Sequence, residues 1–201
     1  MKKSLLSALF LSAVVAYGQH DSTNNFKRYG LGFFPDKKPK TIYGLSIGLF
    51  SIPDQKHVYN GLTLELPGVG LLAGFGRGPD DSALLAANKA NGIIISGTGG
   101  MMNTNGVYAG GFGFFAYKMN GIAFTMGICQ VKYGNGIIIS GFNFCENVRG
   151  IQFGAFATAA NVKGIQISIE NRTKKLKGIQ IGVWNVNEKR KLPFINWNFS
   201  D

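Results

Sequence analysis

The sequence is short of charge, and shorter still of acid. Of its 201 residues 15% are charged, and 10 Asp and Glu stand against 21 Lys and Arg. Such a composition excludes a disordered polyelectrolyte and a coiled coil, and the 45% hydrophobic content predicts a folded chain. Histidine occurs only at His20 and His57, neither near a Cys or an acid pair at ligand spacing, so no metal site is expected and both read as solvated loop residues. From Gly92 onward the only acids are Glu146, Glu170, Glu188 and Asp201, scattered near expected turns, which leaves no carboxylate pair for acid–base catalysis. The runs 74–78 and 110–113 are glycine-rich but lack the βαβ setting of a nucleotide loop. No catalytic residue, cofactor or metal is therefore expected, and the protein is not read as an enzyme. A pocket lined by Asp54, His57 and Glu65 would be needed to overturn that, and Glu65 itself reads as an exposed strand residue.

Long apolar runs are also missing. Residues 1–18 carry Lys2 and Lys3, an apolar stretch from Leu5 to Val15 and a small-x-small end, Ala16-Tyr17-Gly18, which together read as a secretory signal peptide. Its core is shorter than the roughly 20 residues of a spanning helix, and no later segment reaches that length. Removal of Lys2 and Lys3 leaves 19 bases against 10 acids, a net charge of +9 from Gln19 onward. Residues 19–40 read as a loose lead-in, and 41–201 as a single β-repeat domain with a short helical insertion near 80–90 after Pro79-Asp80-Asp81-Ser82.

Glycine is what the chain has in abundance, 29 residues, and it is periodic. Gly92, Gly106, Gly121, Gly136, Gly150, Gly164 and Gly178 follow one another at steps of 14 or 15. One residue past each glycine stands Ile93, Val107, Ile122, Ile137, Ile151, Ile165 or Ile179, and three past it Ile95, Ala109, Phe124, Ile139, Phe153, Ile167 or Ile181. The alternate positions, among them Gln152, Gln166, Gln180, Ser140 and Ser168, are smaller and more polar. Alternation with a period of two predicts one strand per repeat, apolar face inward and glutamines outward. On that assignment Ile167→Asp would unfold the array. The preceding Asn91, Asn105, Asn120 and Asn135 make Asn-Gly pairs that accept positive φ, and the Lys-rich runs after each strand read as turns.

Two all-β folds fit. In a β-solenoid each repeat is one coil, identical positions stack about 4.8 Å apart, and Asn143, Asn171 and Asn185 can form a ladder at a corner. In a small antiparallel outer-membrane barrel each repeat is one strand plus a turn. Lys163 and Asn171 bracket only Ile165, Ile167 and Ile169, an apolar stripe of roughly 15 Å where a barrel presents roughly 25 Å. The solenoid is therefore expected, with the barrel as the alternative. Cys129 and Cys145 discriminate: in a solenoid they lie on adjacent coils within reach of a disulfide, in a barrel near opposite rims.

The units Gly150-Ile151-Gln152-Phe153-Gly154, Gly164-Ile165-Gln166-Ile167-Ser168 and Gly178-Ile179-Gln180-Ile181-Gly182-Val183-Trp184-Asn185 resemble bacterial exported surface-repeat proteins with G-x-Q-x-G-x-x-N units, over about residues 41–199. In the earlier repeats the Gln position holds Ile94, Tyr108, Ala123 and Ile138. The resemblance implies an exported or surface location and transfers no catalytic residue. The expected function is thus a structural or adhesive role at the cell surface, outer membrane or periplasm; the alternative is a barrel acting as a pore or lipid-facing scaffold. Lys163, Arg172, Lys174, Lys175, Lys177, Lys189, Arg190 and Lys191 are the expected basic contact edge, for envelope polysaccharide, lipid headgroups or another surface protein rather than nucleic acid.

Overall fold

A computed structural model describes residues 28–34, 40–49, 56–68, 85 and 87–199. Residues 1–18, Asp54 and most of the helical insertion expected at 80–90 lie outside them.

The described chain is a β-solenoid. Strands β1 (Arg28–Phe34), β2 (Thr41–Gly48), β3 (Val58–Glu65), β4 (Lys89–Ser96), β5 (Gly99–Met101), β6 (Asn103–Gly110), β7 (Gly113–Val186) and β8 (Lys191–Asn198) make one sheet system. From β1 to β7 every inter-strand pairing is parallel, which excludes an antiparallel barrel. The register is the repeat itself: Gly44 lies on Gly61, Gly61 on Gly92, Gly92 on Gly106 and Gly106 on Gly121. Within β7 the column continues, and the backbone of Gly136 packs on Gly121, Gly150 on Gly136, Gly164 on Gly150 and Gly178 on Gly164. β1 shows that the array already begins inside the segment read as a lead-in. At the other end β8 turns back antiparallel on β7, pairing Ile195 with Ile181 and Trp197 with Ile179, and so covers the last coil's open edge.

Each coil is extended almost throughout. β7 runs through several coils without a break, so the Lys-rich run 171–175, expected as a turn, is strand: Thr173 is buried while Arg172, Lys174 and Lys175 point out. The run 187–190 is a turn, as expected, and joins β7 to β8 with the Lys189 and Arg190 amides donating to Asn187 Oδ1. The column glycines lie within the strands rather than at corners, at φ values such as 133° for Gly150 and 143° for Gly164. Only glycine occupies that region readily, and a Cβ on Gly150 would lie 2.0 Å from the carbonyl oxygen of Gly136.

The two faces are the reverse of the sequence expectation. The column two residues past the glycine faces inward, with Ile94, Tyr108, Ala123, Ile138, Gln152, Gln166 and Gln180 all buried. Ile93, Ile95, Val107, Ile122, Phe124, Phe153 and Ile181 are exposed, and Ile167 is half-buried on the same outward side. The reason is axial hydrogen bonding. Stacked amides satisfy one another from coil to coil: Gln166 Nε2 donates to Gln152 Oε1 at 2.8 Å, Gln180 Nε2 to Gln166 Oε1 at 2.9 Å, and Asn196 Nδ2 of β8 to Gln180 Oε1 at 3.3 Å. A buried polar column so paired avoids the desolvation cost that the apolar-inside rule presumes. The expected corner ladder forms for one pair, Asn171 Nδ2 donating to Asn185 Oδ1 at 2.7 Å and to Ile181 O at 2.9 Å on the next coil; Asn143 stays outside it, donating to Phe153 O at 3.2 Å, because the intervening coil carries Ala157 in place of an amide. Toward the N-terminus the same interior is filled by apolar groups, including Tyr108 and Phe114 stacked at 4.0 Å, Met102 and Met119.

Candidate functional site

The column immediately before each glycine changes character along the axis. In its first part it is an asparagine ladder on the outer surface: Asn91 Nδ2 donates to Asn60 Oδ1, Asn105 to Asn91, Asn120 to Asn105 and Asn135 to Asn120, at 2.5–2.8 Å. In its last part the same positions hold Arg149, Lys163 and Lys177, all exposed. Stacked strands hold such positions about 4.8 Å apart, where two unit charges repel by about 1 kcal/mol even in water. A self-satisfying ladder thus gives way to a column of like charges.

That cationic column borders a groove of about 930 Å³. Its other wall is the column three residues before the glycine, with Lys118, Tyr133, Asn147, Asn161 and Lys175, continued by Lys189 beyond β7. Val148, Val162 and Leu176 form its apolar floor. At one end Tyr117 and Tyr133 pack at 5.4 Å, with Lys132 Nζ 5.5 Å from the Tyr117 ring centroid. The groove carries the cations Lys118, Arg149, Lys163, Lys175, Lys177 and Lys189 against one carboxylate, Glu188. That carboxylate is already engaged, accepting from the Leu176 amide at 3.0 Å and from Asn198 Nδ2 at 2.5 Å. The arrangement suits an extended anionic ligand lying along the axis: cations repeat with the coil, amides and tyrosines offer hydrogen bonds, and the floor is apolar.

Of the residues expected at a basic edge, Lys163, Lys175, Lys177 and Lys189 line this groove, and Arg172, Lys174, Arg190 and Lys191 do not. Arg172 pairs with Glu170 at 2.5 Å, and Arg190 secures β8, donating from Nε to Asn196 Oδ1 and from Nη2 to Trp197 O. Lys118 and Arg149 belong to the site and were not among the expected residues. The signal for Arg149 was legible, since it occupies the position before Gly150 that Lys163 and Lys177 occupy before theirs.

The remaining candidates fall in the interior. His57 is buried, its Nδ1 accepting from the Lys40 amide at 3.0 Å, and is not a solvated loop residue. Glu65 is fully buried too, contrary to the exposed position expected, and accepts from Ser96 Oγ at 2.9 Å. Burial and then the charge of Glu65 push the phenol of Tyr108 well above its ordinary range. His57 and Glu65 sit at opposite ends of β3, so they do not meet in one pocket. Among the described residues no cluster of three or more His, Cys, Asp or Glu is placed to hold a metal ion, and no helix is long and apolar enough to cross a membrane. Cys129 and Cys145 are buried free thiols in contact across adjacent coils, the neighbourhood expected of a solenoid. No protein family, curated protein or solved structure matches the chain.

Proposed function

We propose that the protein is an exported, non-catalytic repeat protein of the bacterial cell envelope, with a structural or adhesive role, which holds an extended anionic polysaccharide in its basic groove. The N-terminal segment 1–18 and the G-x-Q-x-G-x-x-N units support the location. One observation carries the ligand: the replacement of the asparagine ladder by Arg149, Lys163 and Lys177 above an open groove. Asparagine there stabilises the stack, as it does at Asn91, Asn105, Asn120 and Asn135. Like charges there oppose it, and a bound polyanion removes the opposition.

The test substitutes the ladder residue back. Arg149→Asn, Lys163→Asn and Lys177→Asn together are expected to keep the fold and raise the melting temperature. In calorimetric titration the same variant is expected to lose at least tenfold in affinity for polygalacturonate, a carboxylate-bearing polysaccharide, with neutral dextran as control. Binding by the parent chain should weaken steeply as salt rises, since exposed charges are screened over about 8 Å at physiological ionic strength. Undiminished polygalacturonate binding by the triple variant, or equal binding of dextran by the parent, would remove the groove as the site.

A further inference from the structure

The outward apolar columns form a continuous face whose occupant is a lipid bilayer surface, we infer. It runs unbroken along the array: Leu31 and Phe33 of β1 lie beside Leu45 and Ile47, which lie beside Leu62 and Leu64, then Ile93 and Ile95, then Val107 and Ala109, then Ile122 and Phe124. The stacked glycines carry it through β7, and Ile181 and Ile179 pass it to Ile195 and Trp197 of β8. Phe33 is 66% exposed, Ile93 51%, Phe153 50% and Trp197 45%. At about 4.8 Å per strand and about 6.6 Å between successive outward residues, the face covers on the order of 600 Å² before the corner is counted. Past the corner it continues with Phe142 and Phe156, whose rings stack at 5.3 Å, until Glu170, paired with Arg172, interrupts the column before Trp184. Monomeric proteins seldom expose a contiguous apolar patch beyond roughly 300–600 Å² unless it binds something.

Charge decides between occupants. One border of the face is the column of Arg149, Lys163 and Lys177, two residues from the outward Ile151, Ile165 and Ile179. At the end of the array Arg190 lies 4.4 Å from the Trp197 ring centroid. Apolar side chains flanked by cations, with tryptophan at the edge, match a leaflet in which acyl chains lie below anionic headgroups. A second copy of this chain offers apolar surface but the same net positive charge, and so no complement to that border. The face shares the column of Arg149, Lys163 and Lys177 with the groove, which opens on the other side of that column, and its apolar contact is read separately from the groove by quenching from the acyl chains.

The experiment uses the full exported chain with Trp184→Phe, which leaves Trp197 as the sole tryptophan reporter. Vesicles of phosphatidylcholine and phosphatidylglycerol carry bromine on their acyl chains. The expected result is vesicle co-sedimentation, a blue shift of Trp197 emission and quenching by the brominated chains. Phe124→Glu with Phe153→Glu, both exposed positions, should keep the melting temperature and lose at least tenfold in vesicle affinity. The groove variant with asparagine at 149, 163 and 177 should lose affinity for anionic vesicles and retain the quenching on saturation. Co-sedimentation without quenching would place the contact at the headgroups alone and overturn the inference. So would a lipid-indifferent dimer, or a monomer whose Trp197 is already shielded without lipid.

Discussion

Neighbouring residues of one strand can have opposite fates, and Gln166 and Ile167 are the sharpest case. Gln166 is wholly buried, donating to Gln152 and accepting from Gln180, whereas Ile167 points outward. Gln166→Leu is apolar and similar in size, yet it strips a hydrogen-bond partner from each neighbouring amide. It is expected to cost about 2 kcal/mol, since a buried polar group left unsatisfied costs about 1–3 kcal/mol. Ile167→Asp introduces a charge and is expected to change stability by less than about 1 kcal/mol, as surface substitutions do. Thermal melts of the two variants check the facing of the whole column; an Ile167→Asp protein that unfolds would restore the inward assignment read from the sequence. The ladder also has an end: Gln152 Nε2 has no partner, because the coil before it carries Ile138 instead of an amide.

The element that makes the coil repeat is the glycine column. Gly150 has a φ of 133° and its absent Cβ faces the Gly136 carbonyl, so Gly150→Ala meets both backbone strain and a backbone clash. A loss of about 3 kcal/mol or more is expected, seen as a lower melting temperature and a shallower β signal in circular dichroism. Gly134→Ala is the control within the same element: its Cβ would meet Ile138 Cδ1, the flexible end of a side chain, at 2.9 Å, and a loss of about 1 kcal/mol or less is expected. The positive φ was legible in the Asn-Gly pairs. The place of the glycines inside strands was not, because local preference identifies an unusual dihedral without saying whether the chain turns or only kinks there. The run 171–175 departs from its expectation for a related reason: it looks like a turn when its repeat is taken alone, and it becomes strand because the neighbouring coils supply its hydrogen-bond partners, whereas 187–190, past the end of β7, does turn.

At the scale of the whole molecule, stacking puts groups distant in sequence into one environment. Cys129 and Cys145 lie on adjacent coils, and their mutual hydrogen bond, followed by burial, holds the Cys129 thiol well above the usual thiol range. A raised pKa depletes the reactive thiolate at neutral pH, and burial excludes the reagent. In reduced protein Cys129, wholly buried, is therefore expected to resist a maleimide at pH 7 and to react only as the coils separate, so its labelling rate should follow denaturant concentration. Rapid labelling of Cys129 in the native protein would show that the two coils are not stacked as described. The basic groove arises in the same way. The sequence pointed to Lys163, Lys175, Lys177 and Lys189 as a basic edge, but only alignment of the columns sets them apart from Arg172, Lys174, Arg190 and Lys191 and adds Lys118 and Arg149.

The sequence by itself determined the period and the positions of the columns, and favoured a stacked coil over a barrel; the parallel pairing settled that choice. A 14- or 15-residue spacing with identical dihedral demands at each glycine allows a stacked coil, and its apolar stripe is too short for a barrel. Only the tertiary structure decided which way the strands face. Alternation shows that two faces differ, and burial of apolar area normally chooses between them. Here the choice falls the other way, because axial hydrogen bonds between Gln152, Gln166 and Gln180, and between Asn171 and Asn185, exist only once coils are stacked. The clue in the sequence was the inward column of the earlier repeats, Ile94, Tyr108, Ala123 and Ile138, which is apolar where the later one is amide. Parity also fails to carry across the corner: Gly141 and Phe142 are successive residues that both leave the interior, so Asn143 points inward despite sharing the parity of outward Ile137 and Ile139.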